Sequence, residues 1–414
     1  MGAGSVFGTA EKVFTDGICY LFILLGYPIS KIFIAKYICP RLFEFKDMIS
    51  MGEIMGSFYG KSGQIITGIA GIFLSLGFIS AQISAIGYLF YFLIGIPHFY
   101  GIIIGTFILI IYSSYGGIKS IIRTNSVQFI ILSVGFLLIS YTALKNIEAI
   151  REYSPHAVSK FSKITSPNLS VLKEISLFLV FCLPFVGPAF VQRMLMTKDV
   201  SQAKKAVYIT GGLETIFYCI FASLGLFAFI LKPTLDPNLI IPFIIDYQPI
   251  FIKGICVAGM FAVVMSSADA EMNVSSISLV HDVLNPFLSI ISSKDLQKFE
   301  LITLRSAVFL FGFIAAIIST SCKSIFDVII GVLDFWGPVV LIPFFSGILG
   351  LQASTKTFLY SVVAGIITVL IWNLFIQTDI HLIESLVPGV LANIVVFFVS
   401  HYTEQIRTPK LIQT

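Results

Sequence analysis

Apolar positions along the chain run in long stretches rather than at alternating spacing, and short polar interruptions divide them into about twelve segments. These fall near 1–14, 17–37, 64–95, 99–115, 124–146, 173–192, 203–231, 251–284, 301–320, 326–350, 357–376 and 386–402. The runs 65–79, 100–112, 127–140 and 306–318 contain no charged residue. Each lies within a stretch long enough for the ~20 residues that a helix needs to cross a hydrocarbon core. Polar stretches are expected at 38–62, 147–172 and 285–300. The first segment is too short to span alone. The pattern predicts an all-α, polytopic membrane protein with no appended soluble domain.

Composition sharpens this. Of the 414 residues, 57% are hydrophobic and 12% are charged, against roughly 25% charged in ordinary soluble domains. So few charges exclude a soluble enzyme, a nucleic-acid binder and a secreted disulfide scaffold. The six cysteines are scattered without a CxxC pair and the five histidines are dispersed, so no metal cluster is legible. A net charge of +4 says little, but its placement says more. If the loop after the second segment is cytoplasmic, that side collects Lys36, Arg41, Lys46, Lys61, Lys204 and Lys205 among others. The positive-inside rule then puts the C-terminus in the cytoplasm. A multi-pass protein of the plasma membrane, a bacterial inner membrane, is expected.

Two segments carry glycine and proline where a continuous helix is disfavoured. The first reads Gly2-Ala3-Gly4-Ser5-Val6-Phe7-Gly8 and the sixth reads Pro184-Phe185-Val186-Gly187-Pro188. Each opens a set of five segments, and an odd number makes the two sets run oppositely through the membrane. Paired broken helices in corresponding positions mark the midplane site of inverted-repeat transporters. Glycine for close helix packing is the plainer alternative for either segment alone. The expected organisation is one transmembrane domain, 1–402. Within it the first repeat is about 1–146, the second about 173–350 and two extra helices about 357–402, with a tail at 403–414.

The eighth segment holds the densest chemistry, Met265-Ser266-Ser267-Ala268-Asp269-Ala270-Glu271-Met272-Asn273. At 100° per residue, Ser266, Asp269 and Asn273 form one stripe, and Ser267, Glu271 and Ser278 form another. A charged side chain at a helix centre costs ~2.5–3.5 kcal/mol on insertion scales. These acids therefore need a partner, a wet cavity or a proton. Hydroxyls and carbonyls at short range are what a hard cation such as sodium requires. Proton carriage by Asp269 or Glu271, and a polar seam between helices including Asn273, remain open alternatives. Asp334 beside Trp336 is a further buried acid, read most simply as a hydrogen bond to a neighbouring helix end.

Four runs in order resemble the sodium:solute symporter family. They are Tyr112-Ser113-Ser114-Tyr115-Gly116-Gly117-Ile118-Lys119 with Arg123-Thr124-Asn125-Ser126-Val127-Gln128; Gln192-Arg193 with Lys198, Ala203 and Lys204; Met265 to Asp269 with Asn273 and His281-Asp282; and Gly331 to Gly350 with Pro338 and Pro343. The resemblance implies a five-plus-five inverted-repeat fold with two added C-terminal helices. By it, Ser266 and Ser267 supply side-chain oxygens to sodium, Val263 and Met1 backbone carbonyls, and an unwound first helix the rest. Ser5, Gln82, Gly187 and Phe190 would face the solute. Family members usually have an acidic residue where this chain has Asn125, and Glu271 is an extra carboxylate. The resemblance also implies a helix, and the first half of the broken one, upstream of Met1.

The expected function is therefore sodium-coupled symport of a small organic solute by alternating access, an amino acid such as proline, with no enzymatic activity. Sodium is the coupling ion and no cofactor is expected. Partners are the solute, sodium and the bilayer, with neither nucleic acid nor a protein partner. The alternatives are a proton-coupled symporter, and a non-transporting remnant or sensor of the same family.

Overall fold

The computed structural model describes residues 2–115, 118–145, 171–287, 293–321, 324–376 and 383–407. Among them there are helices and no strands, and nine helices are long and apolar enough to cross a membrane. Each of the twelve expected segments has a helical counterpart. The shorter ones are Gly4–Gly8 with Thr9–Asp16, His98–Tyr115, and the divided pair Val171–Cys182 and Pro188–Leu195.

Three expectations change. The polar stretch at 38–62 is largely helical: Cys39–Leu42, a 3-10 turn Phe43–Phe45, and then Met51–Ile94. Met51, Ile54, Met55 and Tyr59 are buried at helical spacing, so this lead-in is amphipathic rather than polar throughout. Ser50 caps it by accepting the Glu53 amide at 3.0 Å, which satisfies one of the orphan donors of a helix start. Gly60 breaks its axis at φ +68°, a conformation that side-chain-bearing residues rarely adopt. Beside the break, Tyr59 donates to the Pro343 carbonyl at 2.7 Å and the Thr355 hydroxyl donates to the Tyr59 carbonyl at 3.0 Å. The kink thus docks one end of the long helix onto two others.

The second change concerns the first segment, expected to be unwound. From Gly4 to Gly8 it is a π-turn that runs directly into Thr9–Asp16. The physical reason is packing. A Cβ on Gly4 would sit 1.9 Å from Ile329 and one on Gly8 would sit 3.0 Å from Phe326, so these glycines let the turn lie directly on Ile325–Trp336. The free Ala3 amide is satisfied by Gln82 Oε1 at 2.7 Å. Segment six does break, between Cys182 and Pro188. The third change is an unforeseen short helix, Ile240–Asp246, held by buried Ile240, Ile241, Ile244 and Ile245. Most of 147–172 lies outside the described residues.

The last two helices, Thr355–Ile371 and Leu386–Arg407, brace the π-turn Gly337–Leu341. Asn393 Nδ2 donates to the Pro338 carbonyl at 2.5 Å, covering a backbone group for which the bilayer offers no water. Ser385, just before Leu386–Arg407, donates to Asp334 Oδ2 at 2.7 Å. Asp334 thus meets a hydroxyl at the start of a neighbouring helix. Two apolar clusters make up most of the interior. One is built on Thr9–Asp16 and Val200–Leu231, and the other on Met51–Tyr59, Trp336 and Phe344.

Candidate functional site

Where the two apolar clusters meet, a cavity of about 280 Å³ opens. Tyr20 and Phe326 reach it from one cluster, Trp336 and Leu341 from the other. Its polar wall includes Ser5, Gln82, Ser267 and Glu271. The long helix brings Gln82, the first segment brings Ser5, and the uninterrupted helix Ile250–Ile277 brings Ser267 and Glu271 on successive turns of one face. Contact between these elements is tight. A Cβ on Gly2 would lie 2.8 Å from Gln82 Nε2 and 3.0 Å from Ser267 Oγ. Glycine at that position therefore allows backbone to approach both polar side chains.

A second cavity of about 270 Å³ lies beside the first, lined by Asn125, Gln128, Thr210, Val263 and Ser266. Adjacent serines on one helix thus face different spaces, Ser267 the first and Ser266 the second. Arg193 and Glu214 line both. Asn125 Oδ1 and Gln128 Oε1 are buried with no hydrogen-bond partner.

The remaining sequence candidates are distributed around these spaces. Met1 lies outside the described residues. Gly187 and Phe190 do not line the larger cavity; Phe185, Ala189 and Arg193 form that part of its wall. Gly187 instead packs on the Phe185 ring, and Phe190 lies under the Lys31 ammonium at 5.7 Å. Asp269 is 1% exposed and Asn273 is half-buried, both outside the cavity walls. Glu271 Oε2 accepts from Ser75 at 2.8 Å. Asp282 is fully buried against Gly52 and Gly68 and accepts from Ser50.

Sequence reasoning missed an ion pair. Lys31 and Glu214 lie 3.3 Å apart, with their side chains 12% and 13% exposed. In the sequence Lys31 is only a basic residue flanking a span, yet its stem packs on Gly211 and its ammonium meets Glu214 and the rings of Tyr27 and Phe190. Glu214, alone in an apolar run, carried a usable signal: an ionisable residue inside a membrane segment marks a functional position by default. Tyr218, beside the hydroxyls of Ser5 and Tyr27, was also missed, because a tyrosine in a membrane helix carries no such signal.

A multi-pass helical membrane protein with a cavity, polar along one wall, between a π-turned segment and a serine-bearing helix has the layout of a secondary transporter. Residues 1–365 match the sodium:solute symporter family, and the chain belongs to that family. It is 23% identical to sodium/proline symporter 2 of Staphylococcus saprophyticus, over 98% of this chain and 83% of the relative. It is 21% identical to a sodium/proline symporter of Staphylococcus aureus, over 96% and 82%. In structure it resembles a sodium-coupled sialic acid symporter in its substrate-bound outward-open state. That likeness has a TM-score of 0.80 and 16% identity, and it covers 97% of this chain and 87% of the other. A nucleobase-cation-symport-1 family transporter is similar with a TM-score of 0.59 and 12% identity, over 97% and 91%.

Proposed function

We propose that the protein is a sodium-coupled symporter of a small organic solute, with an amino acid such as proline as the best reading of that solute. Family membership supports the coupling, and the named relatives support an amino acid. The observation that carries the reading is the close approach of the Gly2–Ala3 backbone to Ser267 and Gln82 at the wall of the 280 Å³ cavity. In this reading Ser267 gives sodium its hydroxyl oxygen where the first segment's backbone approaches, and Ser266 and the Val263 carbonyl reach the same ion from the side of the neighbouring cavity. Ser5 and Gln82 face the solute. The Gly187–Phe190 turn then acts through the Phe185 and Arg193 that flank it.

Sodium would tie the first segment to Ile250–Ile277, as the Gln82 bond ties it to the long helix Met51–Ile94. Its binding would favour the conformation in which the first segment and Ile250–Ile277 are closest, and a ligand shifts such an equilibrium only by its differential affinity. The two opposed sets of five segments would supply the alternating access.

One consequence can be read without any solute. Any ion that binds the folded state alone stabilises it by mass action, about 2.7 kcal/mol at a hundred times its Kd. Sodium chloride should therefore raise the melting temperature of the purified protein in detergent, while equal concentrations of potassium or choline chloride should not. Equal shifts with all three salts would count against a sodium site.

A further inference from the structure

Two helices beside Ser5 are joined by a clasp of two layers. Tyr27 and Lys31 stand one turn apart on Gly26–Phe33, and Glu214 and Tyr218 stand one turn apart on Val200–Leu231. In one layer the Lys31 ammonium meets Glu214 at 3.3 Å. In the other, the ring centroids of Tyr27 and Tyr218 are 5.2 Å apart. The helices cross at Gly211, where an added Cβ would meet the Lys31 Cβ at 3.0 Å. Tyr27, Glu214 and Tyr218 all line the larger cavity. Tyr218 is buried, and its hydroxyl interacts with those of Tyr27 and Ser5. The clasp therefore ends on the polar side chain that the first segment gives to the cavity wall.

A buried ion pair adds little stability. Replacing one by apolar side chains of similar volume is often neutral or stabilising, and its best-attested use is to fix register. Register is what the tyrosine layer needs. The Glu214 oxygen that faces Lys31 makes no hydrogen bond, so charge attraction is what holds it there. Lys31 has two further seats, over the Tyr27 ring at 5.3 Å and the Phe190 ring at 5.7 Å. It is thus the fixed point against which Val200–Leu231 is set. Arg193 lines the same cavity but forms no ion pair with Glu214 among the described residues.

We propose that Lys31 and Glu214 are a positioning pair, which registers these two helices so that Tyr218 stays against Ser5 and the polar end of the solute site keeps its shape. This rests on the symport reading only in taking Ser5 to face the solute.

The test compares the purified full chain with four variants. Lys31→Met/Glu214→Gln removes both charges and leaves neither unpaired, Tyr218→Phe removes the hydroxyl, a third variant combines the three changes, and Lys31→Arg keeps the pair. Amide hydrogen exchange at Gly4–Gly8 reads the hold on the first segment without any solute, and sodium-driven uptake of radiolabelled L-proline into proteoliposomes reads the site. Exchange should quicken about fivefold in the neutral-pair variant and in Tyr218→Phe, the scale of one lost hydrogen bond. Combining them should add nothing, because the pair acts through Tyr218. The KM for L-proline should rise by a similar factor, with the maximal rate and the sodium half-saturation within about twofold of the unsubstituted chain. Lys31→Arg should behave as that chain does.

Unchanged exchange in the folded neutral-pair variant would overturn the proposal. So would additive effects of the pair and Tyr218→Phe, which would make the pair a brace in its own right. If the neutral-pair variant does not fold, Glu214→Gln takes its place, since Lys31 then keeps its two rings. Faster, non-additive exchange with no uptake of L-proline would count against the symport reading and leave this inference standing. Sodium-driven uptake whose KM ignores the pair, with exchange unchanged, would do the opposite.

Discussion

Replacing Ser267 by alanine should raise the sodium concentration needed for half-maximal uptake about tenfold or more, with little change in which solutes are carried. Ser267 Oγ lies where an added Cβ on Gly2 would meet it at 3.0 Å, so the hydroxyl faces a point where the first segment's backbone approaches Ile250–Ile277. An ion held there has few oxygens to choose from. Removing one hydroxyl contact to a charged group costs ~1.5–3 kcal/mol, and ~1.4 kcal/mol is a factor of ten in affinity. Solute selectivity should survive because Ser5 and Gln82, which face the solute in this reading, are untouched. A sodium titration of uptake measures the effect directly. Unchanged half-saturation in the alanine variant would take this serine out of the ion site.

Gly225→Leu should have a larger effect, on folding itself. A Cβ at this position would lie 2.4 Å from the Ala10 carbonyl oxygen and 3.1 Å from the carbonyl carbon. These are backbone atoms of Thr9–Asp16, which cannot turn aside as a side-chain tip could. In a bilayer, close approach of this kind between helices supplies much of the packing energy that holds them together. Overpacking costs ~1–3 kcal/mol where neighbours can yield, and a leucine against fixed backbone should exceed that range. Pushing Thr9–Asp16 away would also carry Gly2 and Ala3 off Ser267 and Gln82. The expected result is little monodisperse protein on size exclusion, and no sodium-dependent rise in melting temperature in what remains. Gly212→Leu, thirteen residues earlier on the same helix, meets nothing within 4 Å and should behave as the unsubstituted chain. Similar profiles for the two variants would show that the Ala10 crossing is not what holds the first segment.

Much of this architecture was legible in the sequence because the bilayer imposes it. A chain that must satisfy its backbone inside hydrocarbon has few options beyond long helices, so the apolar runs located each span. The limits of that argument show at particular residues. The stretch before Gly60 reads as polar because Arg41, Glu44, Lys46, Asp47 and Glu53 fall within it, while its buried face is only one residue in three or four. Gly4 and Gly8 read as helix breakers, yet their partners Ile329 and Phe326 lie more than three hundred positions away, and no local pattern reveals that contact.

The site was legible to a similar degree. Ser267, Gln82, Ser5 and Glu271 do line one cavity, and the serine-rich run drew attention by its chemistry alone. That Ser266 faces a second space could not be read, because a 100° helical step does not say what surrounds the helix. Lys31 and Glu214 were each visible as charges in or near apolar segments, but their 3.3 Å pairing depends on how two helices cross at Gly211. Pairing across a tertiary contact leaves no mark in either segment.

The central claim is that an inward sodium gradient drives the solute across the membrane through this protein. Proteoliposomes loaded with potassium and diluted into sodium, each given one radiolabelled neutral amino acid at constant pH, test it most directly. The account predicts that at least one amino acid accumulates above its external concentration. That accumulation should collapse when sodium is equal on both sides, and it should survive when a proton gradient is abolished. Uptake that ignores the sodium gradient, or follows only the proton gradient, would contradict it, and so would the absence of any uptake.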